Sequence, residues 1–169
     1  MAFIITDGVT TSFAEYQDVL EADQRLFESN EGLTDDVVET LLTRSTDRIL
    51  NLFRASDWWR DLYVQKTSNF QPSTRADIPA LDIQRIRARQ DDFTDLCVYY
   101  ALWNYILPKI ADFSKEDNAE RAKIGFYQGK YQFLFDELVN AGDWYDLDNS
   151  GTISSNEKMP GNYALKRIR

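Results

Sequence analysis

The sequence predicts an all-α fold: a small bundle of three to four helices with a long loop and an extended C-terminal tail. Three observations predict it. Apolar residues recur at helical spacing in four stretches, helix-starting Ser, Thr and Asp residues stand ahead of them, and no two alternating runs read as paired strands. The chain has 169 residues, 43% of them hydrophobic and 28% charged, values of an ordinary soluble globular chain with a modest core. Two parts are expected: a helical bundle domain over residues 1–142, and a calcium loop with an extended tail over 143–169.

Residues 2–10 read as mixed, extended or loose chain. The first helix is expected to start at Ser12, whose hydroxyl can cap it, with Glu15 completing a capping box. Tyr16, Val19 and Leu20 then share a face, and Asn30 and Gly32 break the pattern. Thr34 suits the N-cap of the second helix, and Asp35 and Asp36 suit the positive end of its dipole. Val38, Leu41, Leu42, Ile49, Leu52 and Phe53 follow at helical spacing. Ser56 can cap a further short turn carrying Trp58, Trp59, Leu62 and Tyr63.

Residues 64–79, with Pro72 and Pro79, read as a long loop, either a passive connection or a segment that engages something. The third helix runs from about Leu81 or Gln90 to about Leu107. Phe93, Leu96, Cys97, Tyr100 and Ala101 line one face, and Val98, Leu102 and Ile106 make the rest apolar, so burial on most sides is expected. Pro108 ends or kinks this helix. Ser114, with Asp117 three residues on, is expected to cap the fourth helix. That helix carries Ala119, Tyr127, Tyr131, Leu134 and Leu138 on one stripe and stops at Gly142.

Composition removes many functions. There is no histidine, which excludes Ser-His-Asp and Cys-His nucleophiles and ordinary zinc sites. Neither GxxxxGK[ST] nor GxGxxG occurs. The single cysteine, Cys97, cannot form an internal disulfide, which fits a chain made in a reducing cytosol. No apolar run reaches transmembrane length, and the MAFIITDG start lacks the basic and apolar regions of a signal peptide. The net charge of -9 argues against a general nucleic-acid binder or a ligand of anionic membranes. It suits a surface that DNA slides past.

Residues 146–157, DLDNSGTISSNE, match the calcium loop of the EF-hand type position by position. Calcium is a hard ion that takes about six to eight oxygens, so its site needs carboxylates and carbonyls in a tight turn. Asp146, Asp148 and Ser150 stand at positions 1, 3 and 5, and Gly151 at 6, where the turn is sharpest. Thr152 at 7 would offer its backbone carbonyl, Ser154 at 9 would act through a water, and Glu157 at 12 would bind with both oxygens. The alternative is a solvated acidic turn. No second loop pairs with it, Pro160 and Gly161 follow at once, and the chain has 2 Met, so a groove-opening sensor is not expected. A structural ion of moderate affinity is, bracing the turn between the fourth helix and the tail.

Other groups are less specific. Arg85, Arg87 and Arg89 point one way if the stretch is extended and spread around the axis if it is helical; a solvated or intersubunit salt-bridge role is expected. Trp58 and Trp59 suit stacking on bases or sugars, or one core and one interface residue. The paired acids Asp35/Asp36 and Asp91/Asp92 stand at helix starts for dipole reasons, and no acid sits in an evident apolar pocket, so no catalytic residue is nominated. The tail carries Lys158, Lys166, Arg167 and Arg169; it either frays or docks on an acidic neighbour.

The order of parts resembles the head-to-tail adaptor (connector) proteins of tailed bacteriophages. The resemblance is carried by the amphipathic helix LTDDVVETLLTRSTDRILNLF (33–53), the Trp-rich turn and long loop, the Pro-preceded helix within ADIPALDIQ…FTDLCVYYALWNYIL (76–107), and YDLDNSGTISSNEK (145–158) with its basic end. It implies a virion protein of the neck, made in the host cytoplasm. It implies a homo-oligomeric ring, typically of about twelve copies, bound beneath the portal protein, extending the DNA channel and docking the next neck or tail protein. DNA would pass an acidic lumen without specific binding, and no catalytic residue carries over. Subunit and portal contacts are then expected at Trp58 and Trp59 and along the tail at Lys158, Tyr163, Leu165, Lys166, Arg167 and Arg169. The alternative is a monomeric calcium-binding protein-interaction module.

Overall fold

The computed structural model describes residues 3–6, 9–28, 32–66, 77–114 and 118–158. The fold is all-α, as the helical spacing predicts. Its helices are α1 (Tyr16–Ala22), α2 (Gln24–Glu28), α3 (Asp35–Ala55), α4 (Asp57–Lys66), α5 (Gln90–Ala101), α6 (Leu107–Ile110) and α7 (Ala119–Ala141). Two compact units arise, one from residues 1–49 and 89–135, the other from residues 50–88 and 136–169. Helices α3 and α7 each contribute residues to both. No helix among the described residues is long and apolar enough to cross a membrane.

The first unit opens with a short hairpin that the sequence pattern did not suggest: β1 (Ile4–Thr6) pairs antiparallel with β2 (Val9–Ser12). Ser12 therefore ends a strand and does not cap a helix. Its buried hydroxyl donates to the Ala14 carbonyl at 2.8 Å and lies 3.5 Å from Thr46 Oγ1. The cap of α1 falls three residues later. Asp18 accepts from the Glu15 backbone N–H at 2.9 Å, the reciprocal half of a capping box built on Glu15. Phe13 turns inward against Phe93, with ring centroids 5.2 Å apart, and Phe3 packs on Phe13 at 4.9 Å.

The buried hydroxyls of Ser12, Thr46 and Thr94 in this unit are paired, as burial requires. Thr46 accepts from Phe13 N–H at 3.1 Å, and Thr94 donates to the Phe13 carbonyl at 2.8 Å. The Cys97 thiol lies 3.4 Å from Thr46 Oγ1, and burial pushes its pKa up to about 12, so it is an inert core group. α5 is buried on most sides, as expected, with Phe93, Leu96, Cys97, Val98, Tyr100 and Ala101 all inside. Pro108 does not end the helix. A π-helical stretch over Leu102–Ile106 leads into α6, where proline stands in the first turn. Proline has no N–H for the carbonyl four residues back, and the wider π turn accommodates that loss.

α7 starts at Asn118, whose Oδ1 accepts from Arg121 N–H at 2.9 Å, and not at Ser114. Ser114 instead donates its backbone N–H to Asp112 Oδ1 at 3.0 Å. Tyr127, Tyr131 and Leu138 are buried along α7, while Ala119 is exposed. Lys123 anchors the helix through Asp23 at 2.6 Å. Gly142, at φ 54, ends the helix in the left-handed conformation expected of it.

α3 follows Thr34, whose carbonyl accepts from Val38 N–H at 3.0 Å, and its last residues, 50–55, enter the second unit; there Ser56 accepts from Trp59 N–H at 3.4 Å, opening a helix of 10 residues where a short turn was expected. Arg54 donates to the Ile78 carbonyl at 2.7 Å and Trp59 Nε1 to the Pro79 carbonyl at 2.9 Å. Those two bonds hold the far end of the long connection.

Phe93 is fully buried between two aromatic neighbours. Phe93→Ala is expected to lower the unfolding free energy by about 3–5 kcal/mol. Urea titration followed by tryptophan fluorescence reads the change, and a loss under about 1 kcal/mol would show that the aromatic trio is not a core.

Candidate metal centre

The loop begins from a fixed point. Trp144 is completely buried, and its indole N–H donates to the Leu138 carbonyl at 2.8 Å. Its ring stands 4.5 Å from Trp58 and 5.1 Å from Phe53, centroid to centroid, and Tyr145 meets Trp59 edge-on at 5.0 Å. The residues just before Asp146 are thus locked into an aromatic cluster of the second unit.

A second support comes from residues 82–88. Ile86 and Tyr145 form an antiparallel bridge, with Arg87 N–H donating to the Trp144 carbonyl at 3.0 Å and Asp146 N–H to the Arg85 carbonyl at 2.9 Å. Asp82 N–H donates to Tyr145 OH at 3.1 Å. Arg85 ends a 3-10 turn over Ile83–Arg85 and Ile86 is extended after it, and this change of backbone brings both Arg85 and Arg87 to the loop. Arg85 Nη1 donates to the Leu147 carbonyl at 2.8 Å, and Arg87 Nε lies 3.6 Å from Asp146 Oδ2. Each has an acidic partner in the same chain, Asp146 for Arg87 and Asp82, at 3.5 Å, for Arg85. Arg89 leaves the series: at φ 57 it breaks the alternation and pairs with Asp92 at 3.3 Å.

Asp146 is fully buried, so its carboxylate needs donors or a cation. Oδ1 accepts from Ser150 N–H at 3.0 Å and Oδ2 from Gly151 N–H at 2.7 Å. Asp148 Oδ1 accepts from the same Ser150 N–H at 2.9 Å. Chain reversal is achieved by Asn149 at φ 58 and Gly151 at φ 88. A Cβ on Gly151 would meet nothing within 4 Å, so dihedral freedom and not space calls for glycine there.

Glu157 closes the loop from the other end. Its Oε1 accepts from Leu147 N–H at 2.8 Å and Asp148 N–H at 3.0 Å. Its Oε2 accepts from Ser154 N–H and Oγ, each at 2.7 Å. Burial by itself would raise the Glu157 pKa; the hydrogen bonds from Ser154, Asp148 and Leu147 outweigh it and hold the carboxyl below its ordinary 4.5.

Carboxylate oxygens of Asp146, Asp148 and Glu157 all lie within 4.8 Å of one another. Two oxygens bound to one calcium ion at about 2.3–2.6 Å can stand at most about 5 Å apart. The donor set is hard oxygen throughout, and the spread fits a single shared ion. Ser150 Oγ donates to the Thr152 carbonyl at 3.0 Å, bringing positions 5 and 7 together as a ligand shell requires. At position 9 the Ser154 hydroxyl donates to Glu157.

Of the residues expected to meet partners, Trp58 and Trp59 are 4% and 2% exposed. Both indoles belong to the aromatic cluster and offer no surface for stacking or subunit contact, because their apolar area is already removed from water. Lys158 is exposed. Tyr163, Leu165, Lys166, Arg167 and Arg169 lie outside the described residues. Sequence reasoning missed the support from Arg85, Ile86 and Arg87; the alternating pattern was the signal, but its target lies some 60 residues away.

Comparison with known proteins finds no match for this chain among family models, curated proteins or solved structures.

Two outcomes are expected of the loop. Arg87 puts a positive charge beside Asp146 where a cation would bind, so Arg87→Gln is expected to tighten calcium binding roughly 3–10-fold in calorimetric titration, while Asp146→Asn weakens it by at least about tenfold. An unchanged affinity in Arg87→Gln would mean that the guanidinium swings clear when the ion enters. Without calcium, the lowered pKa of Glu157 has a definite sign. Its stabilising contribution is in place above 4.5, the ordinary value, and is lost as pH falls through the lower folded value. The stability gap between the native chain and Glu157→Gln is therefore expected to narrow from about pH 6 to about pH 3 in chelator, and a gap constant over that range would contradict the hydrogen-bond account.

Proposed function

We propose that this chain is a non-catalytic structural protein whose 146–157 loop takes one calcium ion, and that it serves as a head-tail adaptor in the neck of a tailed bacteriophage. The observation that carries the calcium reading is the convergence of Asp146, Asp148 and Glu157 within 4.8 Å on a loop locked to a buried aromatic cluster. A loop tied down at Trp144 and again at Arg85–Arg87 is built for bracing. A sensor loop needs freedom to swing, and this one is held at its entry by three backbone hydrogen bonds to residues 85–88.

The adaptor reading is supported by the order of helices, by the net charge of -9 and by the basic segment after the loop. In that setting the chain forms a ring beneath the portal, lets DNA pass an acidic channel and presents a platform to the next neck protein. The ion sets the angle at which the chain leaves α7 for its tail. The alternative, a monomeric calcium-binding interaction module, shares the ion but not the ring.

Native mass spectrometry of the full chain, alone and with a portal protein, in calcium and in chelator, separates these readings. One bound calcium per chain, lost in Asp146→Ala, together with a symmetric multimer, is the expected result. A chain that binds calcium yet stays monomeric and ignores the portal would leave the interaction module. A chain that takes no calcium would remove the bracing role altogether.

A further inference from the structure

Helix α7 has a second apolar stripe that the core does not use. Phe126 and Phe133 stand 56% and 73% exposed, and Ala122, Gly125 and Gly129 on the same side are exposed with them. A glycine inside a helix costs about 1 kcal/mol relative to alanine. Here two occur four residues apart, and a Cβ on either would meet nothing within 4 Å. Neither lies at positive φ. Nothing in this chain's own described packing calls for the missing side chains.

Ala122, Gly125, Phe126 and Gly129 occupy positions i, i+3, i+4 and i+7, the four corners of a hole in knobs-into-holes packing. Three of the four corners are Ala or Gly, so the hole is deep and another helix can approach closely. Phe133 is the next residue along the stripe and has the shape of a knob. Reversing the helix about Gly129 brings Phe133 of one copy level with Gly125 of another, in the middle of that hole, and does so twice by symmetry. Charge agrees with this orientation. Arg121 lies at the N-terminal end of the stripe, and Asp136 and Glu137 on its last turns. An antiparallel pair sets Arg121 level with the acids of its partner, whereas a parallel pair sets like charges together.

From this fit we infer that α7 is a homotypic interface, pairing antiparallel with α7 of a second copy about a two-fold axis at Gly129. The inference does not rest on the calcium loop, and a two-fold contact is a different one from the head-to-tail contacts that close a ring. It is tested on the full chain by mild oxidation of Gly129→Cys, with Gln128→Cys as an exposed control pointing off the stripe. The native Cys97 is buried and does not interfere.

The expected result is a cross-linked dimer from Gly129→Cys and not from Gln128→Cys, with Phe133→Ser weakening self-association at least about tenfold in sedimentation. Phe133 is a surface residue, so circular dichroism of Phe133→Ser should match the native chain and exclude unfolding as the cause. The inference is overturned by equal cross-linking at 128 and 129, by self-association that Phe133→Ser leaves unchanged, or by Gly125→Cys cross-linking to itself as well as Gly129→Cys does, which marks a parallel pair. A chain that is monomeric at every concentration overturns it too, and leaves the stripe to a different partner.

Discussion

Burial of the Trp144 indole is the constraint on which the loop and its unit depend. One side chain satisfies its only donor on the Leu138 carbonyl and fills the space between Phe53 and Trp58. A buried indole of this size carries a large apolar area, and its polar atom must find an acceptor. Both conditions are met only if the chain leaves α7 in one direction. The residues that follow inherit that direction. Tyr145 reaches back to residue 82, Ile86 bridges to Tyr145, and Asp146 arrives fully buried with its oxygens facing the turn.

A buried carboxylate at that point makes the loop an electrostatic device as well as a turn. Asp146 is compensated by two backbone N–H groups and a guanidinium, and Glu157 by four donors from the loop itself. These contacts keep the acids close without an ion, which is costly for like charges in a region shielded from water. A divalent cation held there would relieve that repulsion, and its binding energy would add to the stability of the unit. Arg87 stands in partial competition, which is consistent with the moderate affinity expected of three carboxylates.

Surface and core divide the aromatic residues in a way that matters for assembly. The adjacent Trp58 and Trp59 serve the interior, while Phe126 and Phe133 on α7 face outward. An assembly surface is therefore to be sought on a helix whose other side is already packed. Two apolar stripes on one helix also explain why α7 shows no clean amphipathic pattern: the side facing the core and the side facing away are both apolar.

What the sequence determined by itself were features whose physics is local. Helix spacing in α3, α5 and α7, the Thr34 cap, the Gly142 stop and the register of the 146–157 loop all follow from propensity, capping and the left-handed turn at Gly151. Local signals failed where two local solutions competed. Ser12 could cap a helix, but its hydroxyl is satisfied inside the core beside Thr46, 34 residues away, so Glu15 and Asp18 make the cap. Pro108 signals an end or a kink, and the helix meets it with a π stretch and runs only as far as Ile110. Long-range packing fixes that Arg85 and Arg87 serve the loop, that Trp58 and Trp59 are core, and that α7 keeps a stripe exposed. Each of these depends on which distant segments meet, and no spacing along the chain records that.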